Sequence, residues 1–236
     1  MIPWLSAALL TFLLGVAITA AICSMNSAGI IPPVVVQDDE VRLPPVGWYC
    51  YPGRSIQPLV MSDRSHFPSN VLSHNEWSAE FRSNWYSRHL RAMNEEPLYS
   101  SDDRWLESYR FLWLRTFHHP VAVRLWKRGA EKFIVVKELS GAGGYEPGEL
   151  IVNHTRKLSA AEWNQFARRL DDTCYWQLPT EDDELGGTDG AQWIFEGFTL
   201  GRYHIVDRWT PESGSYRELC LYALQLSGLK IDKDVY

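Results

Sequence analysis

Acidic, basic and aromatic side chains are concentrated in one short run of the sequence, DGAQWIFEGFTLGRYHIVDRWTPESG, from Asp189 to Gly214. Its carboxylates and its histidine are residue types that serve as general acids and bases. A carboxylate pair that hydrolyses glycosides needs its carboxyl groups about 5–9.5 Å apart. Catalysis would therefore require Glu196, His204 and Asp207 to converge.

The pattern of the run is typical of a β-hairpin that turns near Thr199–Leu200. That turn places Glu196 opposite Tyr203 and Asp207 opposite Gln192. Glu196 and Asp207 then share a face but lie four residues apart along the strand, roughly 13 Å at about 3.3 Å per residue. The sequence therefore predicts an ordinary hairpin without catalytic residues.

The other face of the predicted hairpin carries His204, which is an odd number of positions from Asp207. This face is expected to be half-buried under a helix or to form a binding surface. It comprises Trp193, Phe195, His204, Val206 and Arg208. The candidate partner contacts are Arg202, His204 and Arg208, together with Tyr145 in a separate loop.

Two further runs could bind ligands, GAGGYEPG at 141–148 and HHP at 118–120. Phosphate-binding loops lie between a strand and a helix, whereas strand-like residues flank GAGGYEPG on both sides. It is interpreted as a hairpin loop with Tyr145 at its tip. His118 and His119 point to opposite faces of an extended chain, so they do not easily share one metal ion. We predict no catalytic residue, no cofactor and no metal ion.

Four strand-like segments precede the hairpin, and all are rich in aromatic and β-branched residues. They are YRFLWLRTF, PVAVRLWK, KFIVVKEL and ELIVNHTRKL, joined by short links. Consecutive strands with short links predict an antiparallel meander. With the hairpin, the fold class is α+β, an antiparallel sheet of about six strands with packed helices.

Three helices are predicted around this sheet. SHNE, with Ser73 as the cap, and SAAE, beginning at Ser159, are interpreted as capping boxes. The first helix repeats Trp77, Phe81 and Trp85 every four residues, and the aromatic face is expected to pack on the sheet. Interleaved Trp, Tyr and Arg would alternatively suit nucleic acid or a membrane surface. A last helix, from about 216 to 226, ends at a glycine.

The first 37 residues contain no charged side chain, and the stretch from Leu5 to Ile22 is long and apolar enough to cross a bilayer. Residues 1–24 are therefore interpreted as a transmembrane anchor or a signal peptide, and a lipid-modified Cys23 is a further alternative. Residues 25–70, with two Pro-Pro pairs, are interpreted as a tether, and residues 71–236 as a single α+β domain.

The net charge and the cysteines bear on which partners, metal sites and disulfides the chain is expected to have. The net charge of −6 disfavours binding to nucleic acid, which attracts basic surfaces. Cys50, Cys174 and Cys220 do not have zinc-site spacing. In an oxidising compartment one disulfide is possible among their three pairings, and Cys220 is expected to be a plain core residue.

The segments YRFLWLRTFHHPVAVRL, KELSGAGGYEPGEL and DGAQWIFEG…GRYHIVDRWTP together resemble a family of uncharacterised bacterial proteins. The resemblance covers about half the chain, from Tyr109 onward. It implies a bacterial envelope setting and supplies no activity, cofactor or site residue.

These observations favour a noncatalytic binding or interaction module at the bacterial envelope. The expected place is the inner membrane, with a single span and the body facing the periplasm or the exterior. A secreted or periplasmic protein after cleavage is the alternative. The expected partner is a protein or a cell-envelope ligand, with the membrane contacted through the N-terminal segment and no nucleic acid. Two other functions stay open, a hydrolase of envelope polymers and an immunity-type inhibitor of a secreted toxin.

Overall fold

One antiparallel sheet with helices on both faces forms the fold. The computed structural model describes residues 65–69, 71–73, 75–100, 106–182, 187, 189–231 and 235–236, all within one compact unit. In chain order the elements are α1 (Glu76–Ala92), β1 (Leu106–Arg115), β2 (Val121–Arg128), β3 (Glu131–Leu139), β4 (Leu150–Lys157), α2 (Ala160–Asp172), β5 (Ala191–Thr199), β6 (Arg202–Trp209) and α3 (Ser215–Ser227), with short 3₁₀ helices at Leu98–Ser100 and Tyr175–Gln177.

The six strands of the described residues lie in the order β4-β3-β2-β1-β5-β6, and every neighbouring pair is antiparallel. The predicted α+β class, the six-stranded sheet and the four-strand meander are thereby confirmed. β1 lies between β2 and β5 near the centre of the sheet, and β5 is buried along its whole length because helices cover both faces. Such strands need apolar residues at almost every position, which is the pattern of YRFLWL and WIF.

The register of the β5–β6 hairpin differs from the prediction. The two-residue turn is Leu200–Gly201, and both residues have positive φ, as a type I′ turn requires. The observed turn lies one residue later than the predicted turn at Thr199–Leu200, so each residue of β5 pairs with a β6 residue two positions further along. The predicted pairing of Glu196 with Tyr203 is therefore wrong, and Glu196 pairs with Ile205. Glu196 and Asp207 share a face as predicted, but they are two positions apart along the sheet rather than four.

α1 packs on one face of the sheet through residues that the sequence analysis had not singled out. Its buried residues Tyr86 and Leu90 join a core cluster with strand residues such as Leu112 and Ile194. The prediction that the aromatic face of this helix packs on the sheet is wrong for Trp77 and Phe81, which are exposed, whereas Trp85 packs partly buried against the core cluster. Its cap is also different, because the side chain of Asn75 accepts a hydrogen bond from the Ser78 N–H at 3.2 Å.

α2 and α3 cover the opposite face of the sheet. The predicted capping box of α2 is confirmed, since Ser159 and Glu162 bond each other's backbone N–H groups at 3.2 and 2.7 Å. α3 ends at Gly228, which has a φ of +70°. Aromatic rings fill the space between helices and sheet: Tyr109, Phe111, Trp163, Phe166, Tyr175, Trp193 and Phe195.

The chain enters the described unit beside α1. Residues 65–69 were assigned to the tether, but His66 and Phe67 are buried against α1. Cys174 is disulfide-bonded, and Cys220 is a buried free thiol. None of the described helices is long and apolar enough to span a membrane. The apolar run assigned to an anchor or signal peptide, residues 1–24, lies outside the described residues.

Candidate binding surface

Three aromatic side chains form a row along the outer face of α1. Trp77 and Phe81 are 76% and 54% exposed, and Trp85 is half-buried. Their spacing of four residues places each ring one helical turn from the next. The centroids of Trp77 and Phe81 are 5.9 Å apart with nearly parallel rings, and those of Phe81 and Trp85 are 6.0 Å apart. The row is thus a continuous apolar ridge rather than three separate side chains.

The glycine-rich loop 141–148 lies beside the second half of α1, next to Trp85 and Arg88. The indole of Trp85 donates a hydrogen bond to the carbonyl of Gly143 at 2.8 Å. Arg88 donates to the carbonyl of Tyr145 at 2.5 Å and pairs with Glu146 at 3.0 Å. These contacts attach the loop to the helix and fix the position of Tyr145, which is 57% exposed.

Gly143 has a steric reason to be glycine. A Cβ atom at this position would lie 2.6 Å from main-chain atoms of Leu114 and Arg115 at the end of β1. Only glycine lets the loop approach the strand this closely. The close approach brings Tyr145 to the β1–β2 turn, where its ring lies 6.1 Å from that of Phe117, itself 58% exposed.

We name these five side chains the aromatic surface: Trp77, Phe81, Trp85, Phe117 and Tyr145. Soluble proteins expose such contiguous apolar rings where they bind another molecule. Tryptophan, tyrosine and arginine also dominate the binding energy of protein interfaces. Of the candidate contacts proposed from sequence, Tyr145 belongs to this surface.

Arg202, His204 and Arg208 lie elsewhere, on the edge strand β6 facing the residues that follow α2. The ring of His204 packs 5.1 Å from that of Tyr175, whose hydroxyl donates to the His204 carbonyl at 2.8 Å. The guanidinium of Arg202 lies 4.5 Å from the ring of Trp176. Burial lowers the pKa of Arg202 to about 10. The four candidate contacts thus occupy two separate places, and their role in binding stays a prediction.

Arg208 holds the segment that follows the second 3₁₀ helix. Its guanidinium donates to the carbonyls of Thr180 and Pro179 at 2.7 and 2.8 Å and pairs with Asp182 at 3.1 Å. It also lies 5.7 Å from the ring of Tyr216. With its donors used inside the fold, Arg208 positions residues 179–182.

A buried ionic cluster lies between α1 and the sheet. Arg110 is fully buried and pairs with Glu196 at 2.6 Å and with Glu95 at 3.3 Å. Glu95 also pairs with Arg124 at 2.9 Å and with Lys137 at 2.7 Å. Although burial opposes ionisation, these cations lower the pKa of Glu95, and the two glutamates raise the pKa of Arg110. The cluster joins the four strands β1, β2, β3 and β5 to the residue Glu95 that follows α1.

Asp207 forms a second buried group on the same face. Its Oδ2 accepts from the Tyr86 hydroxyl at 2.7 Å and pairs with Arg82 at 3.3 Å. Burial raises its pKa to about 6, although Arg82 and Tyr86 act in the opposite direction. Burial likewise raises the pKa of Glu196 against the effect of Arg110. Raised carboxyl pKa values are a property of general acids, so the positions of Glu196 and Asp207 decide whether this pair suits catalysis.

The positions of these carboxylates do not suit catalysis. Glu196 is 0% and Asp207 is 2% exposed, and α1 covers Asp207. Glu196 is held by Arg110 and by the hydroxyl of Tyr203. Their polar contacts come from the protein itself, as in a structural network. A substrate would reach either carboxylate only after the packing over it had opened.

The two histidines of HHP have different partners. His118 lies 2.7 Å from the hydroxyl of Tyr236, whereas His119 lies 3.0 Å from a carboxylate oxygen of Glu138. Within the described ranges, no three His, Cys, Asp or Glu side chains come together as a metal site.

Sequence reasoning missed both the aromatic surface and the ionic cluster. Tyr86, Leu90 and Met93 also recur at spacings of three and four, so a second apolar stripe was available on α1. The cluster left a weaker signal, a lone charge inside an apolar strand, as at Arg110 in YRFLWL and Glu196 in WIFEGF. Such a charge needs a buried partner.

No protein-family model matches the chain, and no curated protein matches it either. The resemblance to bacterial proteins drawn from the three segments stays a prediction.

Proposed function

We propose that this chain is a noncatalytic binding module displayed at the bacterial envelope, and that its aromatic surface binds a protein partner. One observation carries the proposal, the row of exposed rings on α1 continued by Tyr145 and Phe117. Covering such rings removes a large apolar area from water, and each square ångström contributes about 25 cal/mol.

The aromatic surface is held on a rigid support, which lowers the entropic cost of binding. Tyr86 and Leu90 anchor the inner side of α1 and are fully buried. Arg88 and Trp85 fix the loop that carries Tyr145. The backbone positions that carry the rings are therefore held in place before a partner arrives.

Charged groups border the rings. Arg88 and Glu146 are 42% and 82% exposed at the side chain, next to Tyr145. An apolar centre with a charged rim is the usual anatomy of a protein interface. A flat bilayer surface would instead favour a basic rim, and the acidic balance of the chain opposes that.

The hydrolase alternative has less support. The carboxylates that could act as acid and base, Glu196 and Asp207, are buried and are bonded to internal partners. An immunity-type inhibitor would itself be a binding module, and the aromatic surface could serve it. The described residues contain no feature that selects a toxin as the partner.

The envelope setting is supported by three features of the chain. They are the uncharged apolar run at 5–22, the proline-rich stretch after it and the disulfide at Cys174. Disulfides persist in oxidising compartments such as the periplasm. Protease accessibility in spheroplasts tests this placement. A body that resists protease until the inner membrane is lysed would contradict it.

The binding proposal is tested by crosslinking and pull-down from native membranes. We expect Trp77→Ala/Phe81→Ala and Tyr145→Ala each to remove the same captured protein while the far-ultraviolet circular dichroism is unchanged. Ile151→Ala is the matched control, because Ile151 is 51% exposed on the edge strand β4, away from the aromatic surface. Its captured proteins should equal those of the unmodified chain.

Two results would overturn the proposal. An unchanged set of captured proteins in the Trp77→Ala/Phe81→Ala variant would exclude the aromatic surface as the binding site. Turnover of a peptidoglycan or ester substrate by the purified chain, lost in Glu196→Gln, would establish catalysis instead.

A further inference from the structure

The row of rings on α1 is symmetric about its middle member. Trp77 and Trp85 lie four residues before and four residues after Phe81, which is about 6 Å along the helix axis in each direction. A two-fold contact between identical chains needs a patch that complements itself, because the same residues meet from both sides. A second α1 running in the opposite direction would place Trp77 beside Trp85, and Phe81 beside its own copy.

The row also has the geometry by which helices pack. Side chains four residues apart form a ridge, and the commonest class of helix contact sets such ridges of two helices side by side. The inner side of α1, with Tyr86 and Leu90, already packs on the sheet. The outer ridge, with Trp77 76% and Phe81 54% exposed, is accessible to a second helix in the described part of the chain.

Charges are distributed unevenly along the outer side of α1. Glu76 and Glu80 are exposed in the first two turns, whereas Arg88 and Arg91 are half-exposed and exposed in the last two. Arg82, between these pairs, is bound by carboxylates of its own chain. Antiparallel pairing sets the acidic half of one helix against the basic half of the other, and parallel pairing sets like charges together. The helix dipoles favour the antiparallel arrangement as well.

We propose that the partner of the aromatic surface is a second copy of the chain, bound through antiparallel, two-fold pairing of the two α1 helices. The inference rests on the function proposed above, because it names the partner of that same surface. Phe81 lies next to the two-fold axis. Tyr145, which Arg88 attaches beside the second half of α1, extends the contact toward the first turn of the other copy's α1.

The pairing is weak in dilute solution. The exposed parts of the five rings of the aromatic surface come to roughly 500 Å² per copy, below the about 800 Å² per partner of a standard interface. Copies held in one membrane, as proposed, share an orientation and have a raised local concentration. The pairing is therefore expected at the membrane, and the test is made there.

Disulfide trapping in native membranes tests the pairing with the full-length chain. Two copies with different epitope tags are expressed together, and the doubly tagged product is quantified after mild oxidation. Phe81→Cys should link to itself, because a disulfide needs Cα atoms within about 7 Å. Trp77→Cys in one copy and Trp85→Cys in the other should link at least about fivefold more than Trp77→Cys in both, whose Cα atoms lie about 12 Å apart along the helices.

The controls separate this contact from others. Ile151→Cys, at a residue 51% exposed on β4, should give no more product than the unmodified chain, which sets the baseline from the native cysteines. Circular dichroism checks that each variant is folded. If Trp85→Cys, which loses a hydrogen bond to Gly143, does not fold, Phe81→Cys and Trp77→Cys decide the question. Antiparallel pairing links the first to itself and not the second.

Two outcomes would overturn the inference. They are a Phe81→Cys product no greater than the baseline, and self-linkage of Trp77→Cys equal to that of Phe81→Cys, which would indicate a parallel contact. The pull-down distinguishes this inference from the proposed function. If Trp77→Ala/Phe81→Ala releases a different protein while Phe81→Cys does not link, the aromatic surface binds that protein and the self-pairing is wrong. If that variant releases nothing and Phe81→Cys does not link, both proposals are wrong.

Discussion

Asp207 of β6 accepts a 2.7 Å hydrogen bond from the hydroxyl of Tyr86 on α1, while its second carboxylate oxygen has no hydrogen-bond partner among the described residues. A buried carboxylate with an unsatisfied oxygen is costly when it is ionised. This contact therefore couples the packing of α1 on the sheet to pH.

The first prediction concerns this coupling. The pKa of Asp207 is raised from 3.8 to about 6 in the fold. Between about pH 4 and pH 6 the unfolded chain releases this proton while the folded chain keeps it, so the contribution of Asp207 to stability falls as pH rises. About two pKa units correspond to roughly 3 kcal/mol. Urea unfolding should therefore show Asp207→Asn gaining stability relative to the unmodified chain between pH 4.5 and pH 7.5.

The stability difference between the two chains is compared at the two pH values. Groups that both chains share contribute equally to each chain and cancel in this difference, and one of them is His66, whose pKa is lowered by burial to about 4. Asp182→Asn is the matched control, because Asp182 pairs with Arg208 at the surface and contributes at most about 1 kcal/mol. An Asp207→Asn difference that is the same at pH 4.5 and pH 7.5 would contradict the prediction.

The second prediction concerns the buried ionic cluster. Arg110→Met should destabilise the chain by about 3–5 kcal/mol, because it leaves the buried Glu196 without its partner. Arg110→Met/Glu196→Met should recover much of that loss, since no unpaired charge stays at this position. Chemical denaturation measures both. Arg88→Met, in a surface pair with Glu146, serves as the control and should cost about 1 kcal/mol or less.

The third prediction tests which face of α1 supports the fold. Leu90→Ala should cost about 2–5 kcal/mol, since it opens a cavity in the core. Trp77→Ser and Phe81→Ser should each change the free energy of unfolding by about 0.5 kcal/mol or less. Thermal and urea unfolding of the three variants measure this difference. A larger loss from Trp77→Ser than from Leu90→Ala would reverse the assignment of the two faces.

The fourth prediction concerns the loop that carries Tyr145. Gly143→Ala places a methyl group 2.6 Å from main-chain atoms of β1, so the loop must move, at a cost of about 1–3 kcal/mol. Gly129→Asn is the control, because nothing lies within 4 Å of its Cβ and asparagine tolerates positive φ. Urea unfolding should show a lower free energy of unfolding for Gly143→Ala than for Gly129→Asn. Gly143→Ala should also weaken capture of the partner, because the loop that it moves carries Tyr145.

Much of the fold follows from the sequence because strands and capped helices carry local signals. The meander and the Ser159 capping box depend on residues close together in the chain. The β5–β6 register was missed because it depends on one turn residue, Leu200, adopting a positive φ that leucine seldom has. Local patterns give the strands, and the turn conformation decides their alignment.

The candidate sites were harder to predict for a different reason. Periodicity shows which residues share a face of α1, but tertiary packing decides which face is buried. Arg110, Glu95 and Glu196 are far apart in sequence and have no spacing in common. Of the four contacts proposed from the sequence, Tyr145 alone lies on the aromatic surface. Its place at a loop tip could be predicted because the glycine-rich turn is a local pattern in the sequence.

The chain enters the described unit through residues 65–67, and this has a mechanical consequence. The main-chain N–H of His66 donates to Ser87 on α1 at 3.0 Å, its ring lies 2.7 Å from the Glu95 carbonyl, and Phe67 is fully buried beside Tyr86. With the preceding residues held at a membrane, as proposed, a pulling force that reaches the fold along the main chain through residues 65–67 would act first on α1. A partner bound to the outer side of that same helix would then lie directly on the path of this force.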